Sequence, residues 1–287
     1  MKTIGSGPLQ PGDRVQLTDE RGKMYSFYLQ PGAQWHSHKG WINHDSIIGL
    51  SEGSTVASNS GTNYQVMRPL LNDYVLSMPR GATIIYPKDS AIIVGFADIF
   101  PGSRVLEAGA GSGGLSISLL RAIGDRGSLV SFEERAEFFE NARGNVRNYF
   151  GELPTTWQLI NSRVQDGTFN EDFDRVIFDM LAPWDALDAA YRALRPGGVL
   201  CCYVATTTQL SKTAEAIKDS LLFSEPESFE TLLRPWHHEG LAVRPMHSMN
   251  AHTGFLLFTR KLPLGTKPIR RKRRPSKGVI ESSAESQ

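Results

Sequence analysis

Two patterns of hydrophobic and polar positions divide the chain near residue 77. Before that point, apolar and polar residues alternate over short stretches that turn-forming residues separate, which is typical of strands. The clearest of these stretches are RVQLT, MYSFYL and NYQVMR. We therefore predict a small β-rich N-terminal domain over residues 1–77.

From about residue 89 onward, apolar strand-like runs alternate with stretches of helical period. The apolar runs are RVLEA, SLVSFE, WQLIN, DRVIFDM and GVLCCYV. Such alternation predicts an α/β domain, here over residues 78–264, with a parallel sheet that helices cover on both faces. Two last runs, LAVRPMHSM and TGFLLFTRKL, predict a terminal antiparallel pair of strands.

The C-terminal end has a different composition. From Gly265 onward seven Lys or Arg residues stand against two Glu, and apolar periodicity is absent. We predict a basic, disordered tail over residues 265–287. Its cluster Arg270 to Arg274 is typical of a solvated charge run that adds nonspecific attraction to phosphate.

Charge and hydropathy exclude some classes of protein. The net charge is +1, so the chain without its tail surplus of +5 carries −4, far from a strongly basic nucleic-acid-binding domain. No apolar run reaches the roughly 18 residues of a membrane span, and the N-terminus lacks the apolar segment of a signal peptide. We expect a cytoplasmic protein without a membrane partner.

A glycine-rich loop is the strongest chemical signal. VLEAGAGSGG follows a predicted strand and opens a predicted helix, where only glycine lets the backbone approach a ligand closely at low cost. Gly109, Gly111 and Gly114 also satisfy G-x-G-x-x-G, so a dinucleotide-dependent dehydrogenase remains an alternative at this point.

Two further features favour a different cofactor. Glu107 precedes the first glycine by two residues, and the resulting loop resembles motif I of class I S-adenosylmethionine-dependent methyltransferases, in which this carboxylate receives the amino-acid end of the cofactor. The helix, Pro-Gly-Gly turn and strand of ALRPGGVLCCYV are also typical of these enzymes. Glu133, at the end of SLVSFEE, can accept hydrogen bonds from both ribose hydroxyls, but dehydrogenases share that feature.

Six segments in order carry a closer resemblance: YPKD, VLEAGAGSGGLS, FEERAEFFENARGNV, DMLAPW, YVATTTQL and RPMHSMNAHTGFL. From about Gly12 to Leu262 the chain is similar to the tRNA (adenine-58-N1)-methyltransferase family in its bacterial and archaeal form. The resemblance implies a small N-terminal β domain, a Rossmann-like methyltransferase domain with a mostly parallel seven-stranded sheet, S-adenosylmethionine as cofactor, tRNA as substrate and a homotetramer.

The resemblance also implies a set of cofactor-binding residues. They are Glu107, Gly109, Gly111, Ser112, Gly113, Gly114, Leu115, Glu133, Phe138, Ser162, Gln165 and Asp179. Around NSRVQDG this chain departs from the family pattern, because relatives often present an acidic residue to the cofactor adenine where Ser162, Arg163 and Gln165 stand.

Asp179, in FDMLAPW, is the predicted catalytic residue. Methylation of adenine N1 leaves the base positively charged until an N6 proton is lost, and a carboxylate that accepts a hydrogen bond from N6 stabilises that charge. The end of a strand suits this role, because open α/β sheets bind ligands there. The alternative is a helix N-cap before APWDALDAAYRAL.

Three other residues are candidates for substrate binding, and one of them, Tyr86, is also predicted as a catalytic residue. We place Tyr86 near the catalytic aspartate, where it stacks on adenine or donates a hydrogen bond; packing at a domain junction is its alternative. His36, in WHSHKGWINHD, is expected on a loop that faces RNA or the cofactor pocket, with a structural role as the alternative, and His252 is expected to line the active site. No metal site is expected, because methyl transfer from a sulfonium needs no metal.

Two other functions stay open at this stage. One is a methyltransferase of protein or small molecules, which shares the sheet and a similar glycine loop. The other is a noncatalytic tRNA-binding subunit, but such a subunit is expected to lose the cofactor loop, which this chain keeps.

Overall fold

The computed structural model of the protein describes residues 6–170 and 172–271. Its first six strands are β1 (Arg14–Asp19), β2 (Met24–Tyr28), β3 (Gln34–Ser37), β4 (Gly40–Asn43), β5 (Thr55–Ala57) and β6 (Asn63–Met67). Four of them form one antiparallel sheet in the order β2-β1-β6-β5. The predicted N-terminal strands are therefore confirmed.

Alternation along β1 and β6 builds the core of this sheet. Val15, Leu17, Tyr64 and Val66 point inward and are buried, as period-two side-chain placement requires. The segment 35–45, expected as a loop, instead lies mostly in the hairpin of β3 and β4. The ring of Trp35 on this hairpin stacks on Phe27 with 5.8 Å between the ring centroids, and this contact stabilises the hairpin.

One ion pair fixes the turn between β1 and β2. The Asp19 carboxylate accepts a hydrogen bond from Lys39 Nζ at 2.8 Å and others from the backbone N–H groups of Arg21 and Lys23. The hydrogen bond from Lys39 is the main reason that the pKa of Asp19 falls to about 2. The carboxylate therefore stays ionised throughout the neutral and mildly acidic range.

The rest of the described chain alternates helices and strands. The helices are α1 (Leu71–Ser77), α2 (Pro87–Phe96), α3 (Gly114–Ile123), α4 (Ala136–Phe150), α5 (Leu187–Ala193) and α6 (Thr207–Ser220). The strands are β7 (Arg104–Ala108), β8 (Ser128–Phe132), β9 (Trp157–Ile160), β10 (Phe173–Asp179), β11 (Leu194–Val204), β12 (Glu227–Phe229), β13 (Trp236–Glu239), β14 (Ala242–Pro245) and β15 (Phe255–Arg260).

Seven strands form one sheet in the order β12-β15-β11-β10-β7-β8-β9. β10 runs parallel to both β7 and β11, β8 runs parallel to β9, and β15 runs antiparallel to β11 and β12. The predicted fold class, a mostly parallel α/β sheet after a β-rich N-terminal region, is confirmed.

The predicted pairing of the last two apolar runs is wrong. β14 pairs with β13, and β15 pairs with β11 and β12. The two-residue turn of Gly240 and Leu241 explains the first pairing, because Gly240 adopts φ +52° and closes a tight hairpin. Burial explains the second, because Leu256 and Leu257 are fully buried on opposite faces of β15.

The centre of β11 is fully buried, and Cys201 and Cys202 lie there as free thiols. Burial raises the pKa of both thiols. The Pro-Gly-Gly segment predicted as a turn lies within the bounds of β11, where the pairing with β10 shifts register between Phe173 and Arg175. The turn therefore appears as an irregularity at the start of a longer strand.

By contacts the chain divides into two compact units. One contains the residues up to Gly102 together with Gly109–Ser162, and the other contains Ser103–Ala108 together with the residues from Arg163 onward. Two of the seven sheet strands, β8 and β9, belong to the first unit. The predicted boundaries at residues 77 and 264 stay a prediction.

Part of the predicted basic tail is described. Arg270 donates a hydrogen bond from Nη2 to the backbone carbonyl of Lys218 at 2.8 Å, near the end of α6, where the helix dipole favours a cation. Residues 272–287, with the remainder of the basic cluster, lie outside the described residues. None of the described helices has both the length and the apolarity needed to cross a membrane.

Candidate active site

The glycine loop joins the end of β7 to the start of α3. Gly109, Gly111 and Gly113 adopt φ values of +88°, +55° and +82°, a region that side chains rarely adopt. A Cβ atom added to Gly113 would lie 3.1 Å from the backbone oxygen of Ala142 on α4. The loop therefore needs glycine both for its backbone conformation and for its contact with α4.

Glu133, one residue after the end of β8, orients its carboxylate toward this loop. Oε2 accepts a hydrogen bond from Gly111 N–H at 2.9 Å, and Oε1 accepts one from Arg135 N–H at 3.1 Å. The residue is buried, whereas the adjacent Glu134 is exposed. Oε1 also accepts a hydrogen bond from Arg135 Nε at 3.5 Å, so the acceptor capacity of Glu133 for a ribose hydroxyl lies mainly on Oε2.

Asn145 supports the loop from α4, and sequence reasoning missed it. Its Nδ2 donates to the backbone carbonyls of Pro79 at 2.8 Å and Ser112 at 2.9 Å. Its own backbone carbonyl accepts the Tyr74 hydroxyl at 2.8 Å. The signal in the sequence was a polar residue on the apolar face of α4, where Ala142 and Val146 are buried.

Asn161 is the second residue that the sequence did not reveal. Its Nδ2 donates to the backbone carbonyl of Glu133 at 2.7 Å and to that of Glu134 at 3.2 Å. It therefore fixes the backbone that carries the candidate ribose-binding carboxylate. Ser162 follows it and lies half-buried, with its N–H donating to the Ile160 carbonyl at 3.1 Å.

Two predicted apolar contacts of the loop are buried in the same unit. Leu115 lies in the first turn of α3, and Phe138 lies in the first turn of α4. The Arg135 guanidinium lies 3.8 Å from the centroid of the Phe138 ring. Gly81 packs so closely on Phe138 that an added Cβ would meet its ring at 2.8 Å. The first unit thus brings together the glycine loop, Glu133 and Phe138.

Two more predicted residues, Tyr86 and His36, belong to the first unit. Tyr86 is half-buried at the N-cap of α2, directly before Pro87. His36 is exposed on β3, in the small hairpin rather than in a loop. His44, in contrast, is buried, and desolvation lowers its pKa; its Nδ1 accepts the Gln30 N–H at 3.0 Å.

The second unit carries two predicted carboxylates on adjacent parallel strands. On β7, Glu107 is fully buried and lies opposite Ile177 of β10. Asp179 is half-buried at the end of β10, one residue beyond the pair of Phe178 and Ala108. Since Ala108 leads directly into the glycine loop, Asp179 stands at the strand end where open α/β sheets bind ligands.

His252 also lies in the second unit and uses both ring nitrogens. Nδ1 contacts Glu230 Oε2 at 2.9 Å, and Nε2 contacts the backbone carbonyl of Ala205 at 2.9 Å. The two contacts fix the orientation of the ring against Glu230 and the Ala205 backbone. Gln165 is half-buried, and its backbone carbonyl accepts Arg192 Nη2 at 3.4 Å.

Within the described ranges, no group of three or more His, Cys, Asp or Glu side chains is arranged to hold a metal ion. The chemistry available to the residues above is that of hydrogen-bond acceptors and of one imidazole. Carboxylates at the ends of β7, β8 and β10 can bind hydroxyl, ammonium or amino groups.

Two family models match the chain. The TrmI-like N-terminal model matches residues 7–56, and the model of the tRNA methyltransferase complex GCD14 subunit matches residues 64–240. The second match alone spans more than half of the chain.

Similar proteins carry related names. A tRNA (adenine(58)-N(1))-methyltransferase TrmI from Thermus thermophilus is 34% identical over 255 residues, which cover 85% of this chain and 95% of that protein. A tRNA (adenine(57)-N(1)/adenine(58)-N(1))-methyltransferase TrmI from Methanocaldococcus jannaschii is 28% identical over 272 residues, which cover 86% of this chain and 94% of that protein.

Solved structures agree with this fold. TrmI from Aquifex aeolicus, described as a tRNA (m1A58) methyltransferase, superimposes with a TM-score of 0.79 at 29% identity and covers 90% of this chain and all of its own. A Thermotoga maritima protein described as a SAM-dependent O-methyltransferase gives a TM-score of 0.85 at 29% identity, over 95% of this chain and all of its own.

Proposed function

The chain belongs to the tRNA (adenine-58-N1)-methyltransferase family, and on this premise we propose that it transfers a methyl group from S-adenosylmethionine to N1 of adenosine 58 in the T-loop of tRNA. One observation carries the proposal. Asp179 ends β10 directly beside β7, the strand that leads into the glycine loop. The glycine loop suits binding of the methyl donor, and a carboxylate at the end of the adjacent strand suits a hydrogen bond from the adenine that accepts the methyl group.

The residues around the glycine loop suit the cofactor. Oε2 of Glu133 has acceptor capacity left for one ribose hydroxyl beside its hydrogen bond from Gly111, and Oε1 receives the second hydroxyl in place of the long 3.5 Å hydrogen bond from Arg135 Nε. We assign Glu107 to the amino-acid end of the cofactor, and Ser162, Gln165 and Phe138 to its adenine side. When bound, S-adenosylmethionine supplies an electrophilic methyl group on a sulfonium.

Asp179 is the proposed catalytic residue. Its carboxylate accepts a hydrogen bond from the N6 amino group of adenine, which raises electron density at N1 and stabilises the positive charge that develops on the base. Loss of one N6 proton then neutralises the methylated base, and the carboxylate is a suitable acceptor for that proton.

Three residues are proposed to bind the substrate. Tyr86 offers an aromatic ring that stacks on adenine, and base–aromatic stacking is worth about 1–3 kcal/mol per base. His252 offers an exposed imidazole, oriented by Glu230 and by the Ala205 carbonyl, that suits contact with an RNA base. His36 is exposed on its hairpin and suits a second RNA contact.

A methyl-transfer assay tests the proposed function. The protein is incubated with labelled S-adenosylmethionine and unmodified tRNA, and the methylated nucleoside is identified and mapped. We expect one methyl group at N1 of adenosine 58 and none on a transcript in which guanosine replaces that adenosine. Methylation of protein or of small molecules in preference to tRNA would overturn the proposal.

We also propose that the protein assembles into a homotetramer in the cytoplasm. The hairpin of β13 and β14 forms a sheet of its own among the described residues, and two strands alone are only marginally stable in water. Large exposed side chains are concentrated on this hairpin and beside it: Leu232, Leu233, Trp236, Leu241, Val243 and Met246. Such an apolar patch favours a partner surface, and the proposed partner is a second copy of the chain.

Light scattering after gel filtration measures the assembly. We expect a mass of about four times the chain mass of 31.8 kDa, and a smaller species when Leu241 and Val243 are both changed to lysine, because charges at an apolar contact cannot be buried. The matched control makes the same change at Leu70 and Leu264, which are exposed and are not part of the hairpin. A monomeric wild-type protein would contradict this assembly.

A further inference from the structure

Gln209, in the first turn of α6, makes hydrogen bonds with both ends of its carboxamide. Gln209 Oε1 accepts hydrogen bonds from the backbone N–H groups of Ala205 at 3.2 Å and Thr206 at 3.1 Å. Thr206 Oγ1 in turn accepts the Gln209 N–H at 3.2 Å. This reciprocal arrangement is a capping box, and it needs only the oxygen of the Gln209 carboxamide.

The nitrogen of the same carboxamide reaches a different segment. Gln209 Nε2 donates to the backbone carbonyl of Leu181 at 2.9 Å. Leu181 lies two residues after Asp179, and its side chain is 82% exposed, so its side chain does little to hold the backbone here. The hydrogen bond from Gln209 therefore holds the chain just beyond the candidate catalytic carboxylate.

A second contact comes from the next turn of α6. Lys212 Nζ lies 4.1 Å from the centroid of the Trp184 ring, a distance at which a cation and an aromatic ring attract each other. Residues three apart lie on one face of a helix, so Gln209 and Lys212 face the same segment. Helix α6 thus holds both Leu181 and Trp184, on the segment that follows Asp179.

From these contacts we propose that Gln209 is a positioning residue for methyl transfer, which fixes the direction of the Asp179 carboxylate through the backbone of Leu181. The proposal rests on the proposed function of Asp179. Its reason is geometric: a small misplacement of a catalytic group lowers the rate of the chemical step strongly, while a cofactor held by other residues still binds.

The test variant is Gln209→Glu. Glutamate keeps the oxygen that the capping box requires and removes the N–H that Leu181 accepts, and it places a negative charge against that carbonyl. We expect kcat for tRNA methylation to fall roughly tenfold, as the loss of one hydrogen bond predicts, with an unchanged KM for S-adenosylmethionine and a thermal midpoint lowered by no more than about 4 °C.

Two further variants complete the test. Thr208→Glu places the same charge in the same turn, at an exposed position, and is expected to leave kcat unchanged. Lys212→Met removes the cation from the Trp184 ring and is expected to lower kcat roughly two- to fivefold, again without a change in the KM for the cofactor. This variant leaves the capping box intact, so it also serves if Gln209→Glu is poorly folded.

The outcomes separate the two proposals. If wild-type protein methylates tRNA and Gln209→Glu retains its kcat, or if Thr208→Glu loses as much activity, Gln209 has no positioning role and the function of Asp179 still stands. A rise in the KM for the cofactor in place of a fall in kcat also overturns the positioning role. If wild-type protein does not methylate tRNA, both proposals fail.

Discussion

Replacing Asp179 by alanine is expected to lower kcat for tRNA methylation by roughly two to three orders of magnitude, the usual effect of removing a group that stabilises charge in a transition state. The substitution takes away the acceptor for the N6 amino group and leaves Glu133 and the glycine loop intact. Cofactor affinity, measured by calorimetry with S-adenosylhomocysteine, is therefore expected to change little.

Two companion variants sharpen this result. Asp185→Ala removes an exposed carboxylate six residues further along and is expected to retain full activity. Asp179→Asn keeps a hydrogen-bond acceptor but not a base, so its kcat separates orientation of the base from acceptance of the proton. Full activity in Asp179→Ala would show that this carboxylate is not catalytic.

Changing Glu133 to glutamine is expected to weaken cofactor binding by roughly 100-fold, which corresponds to about 3 kcal/mol for the loss of charged acceptors. One oxygen becomes an NH₂ group, which faces either Gly111 N–H or Arg135 N–H, so that two donors oppose each other. The dissociation constant of S-adenosylhomocysteine measures the effect, and kcat at saturating cofactor is expected to change only a few-fold.

The adjacent residue provides the control for this variant. Glu134→Gln makes the same chemical change at an exposed position and is expected to bind the cofactor as wild-type protein does. Equal weakening in the two variants would assign the effect to net charge rather than to the geometry of Glu133. Circular dichroism checks that both variants keep the fold.

The sequence predicts those elements that depend on residues close to one another along the chain. Four glycines between a strand and a helix predict a ligand-binding loop, because glycine there is otherwise costly in backbone entropy. In the structure three of the four adopt positive φ values. Alternation predicted β1, β2 and β6, and apolar runs predicted the parallel strands. Asp179 could be placed at the end of β10 because its run ends there.

Contacts between distant residues were beyond this reasoning. The hydrogen bond from Asn145 to Pro79 joins residues 66 apart, and that from Gln209 to Leu181 joins residues 28 apart. In both bonds the acceptor is a backbone carbonyl, so no pattern of residue types identifies the acceptor residue. The prediction that β14 pairs with β15 is wrong for the same reason, because an apolar run indicates a strand but does not indicate its neighbour in the sheet.

The buried pair of cysteines in β11 has a practical consequence for chemical labelling. Cys201 and Cys202 are the only thiols in the sequence, both are inaccessible, and their raised pKa values keep them protonated. A thiol reagent needs the exposed thiolate, so the folded protein resists modification. A single cysteine introduced on the surface can therefore carry a fluorescent or spin label without removal of the native pair.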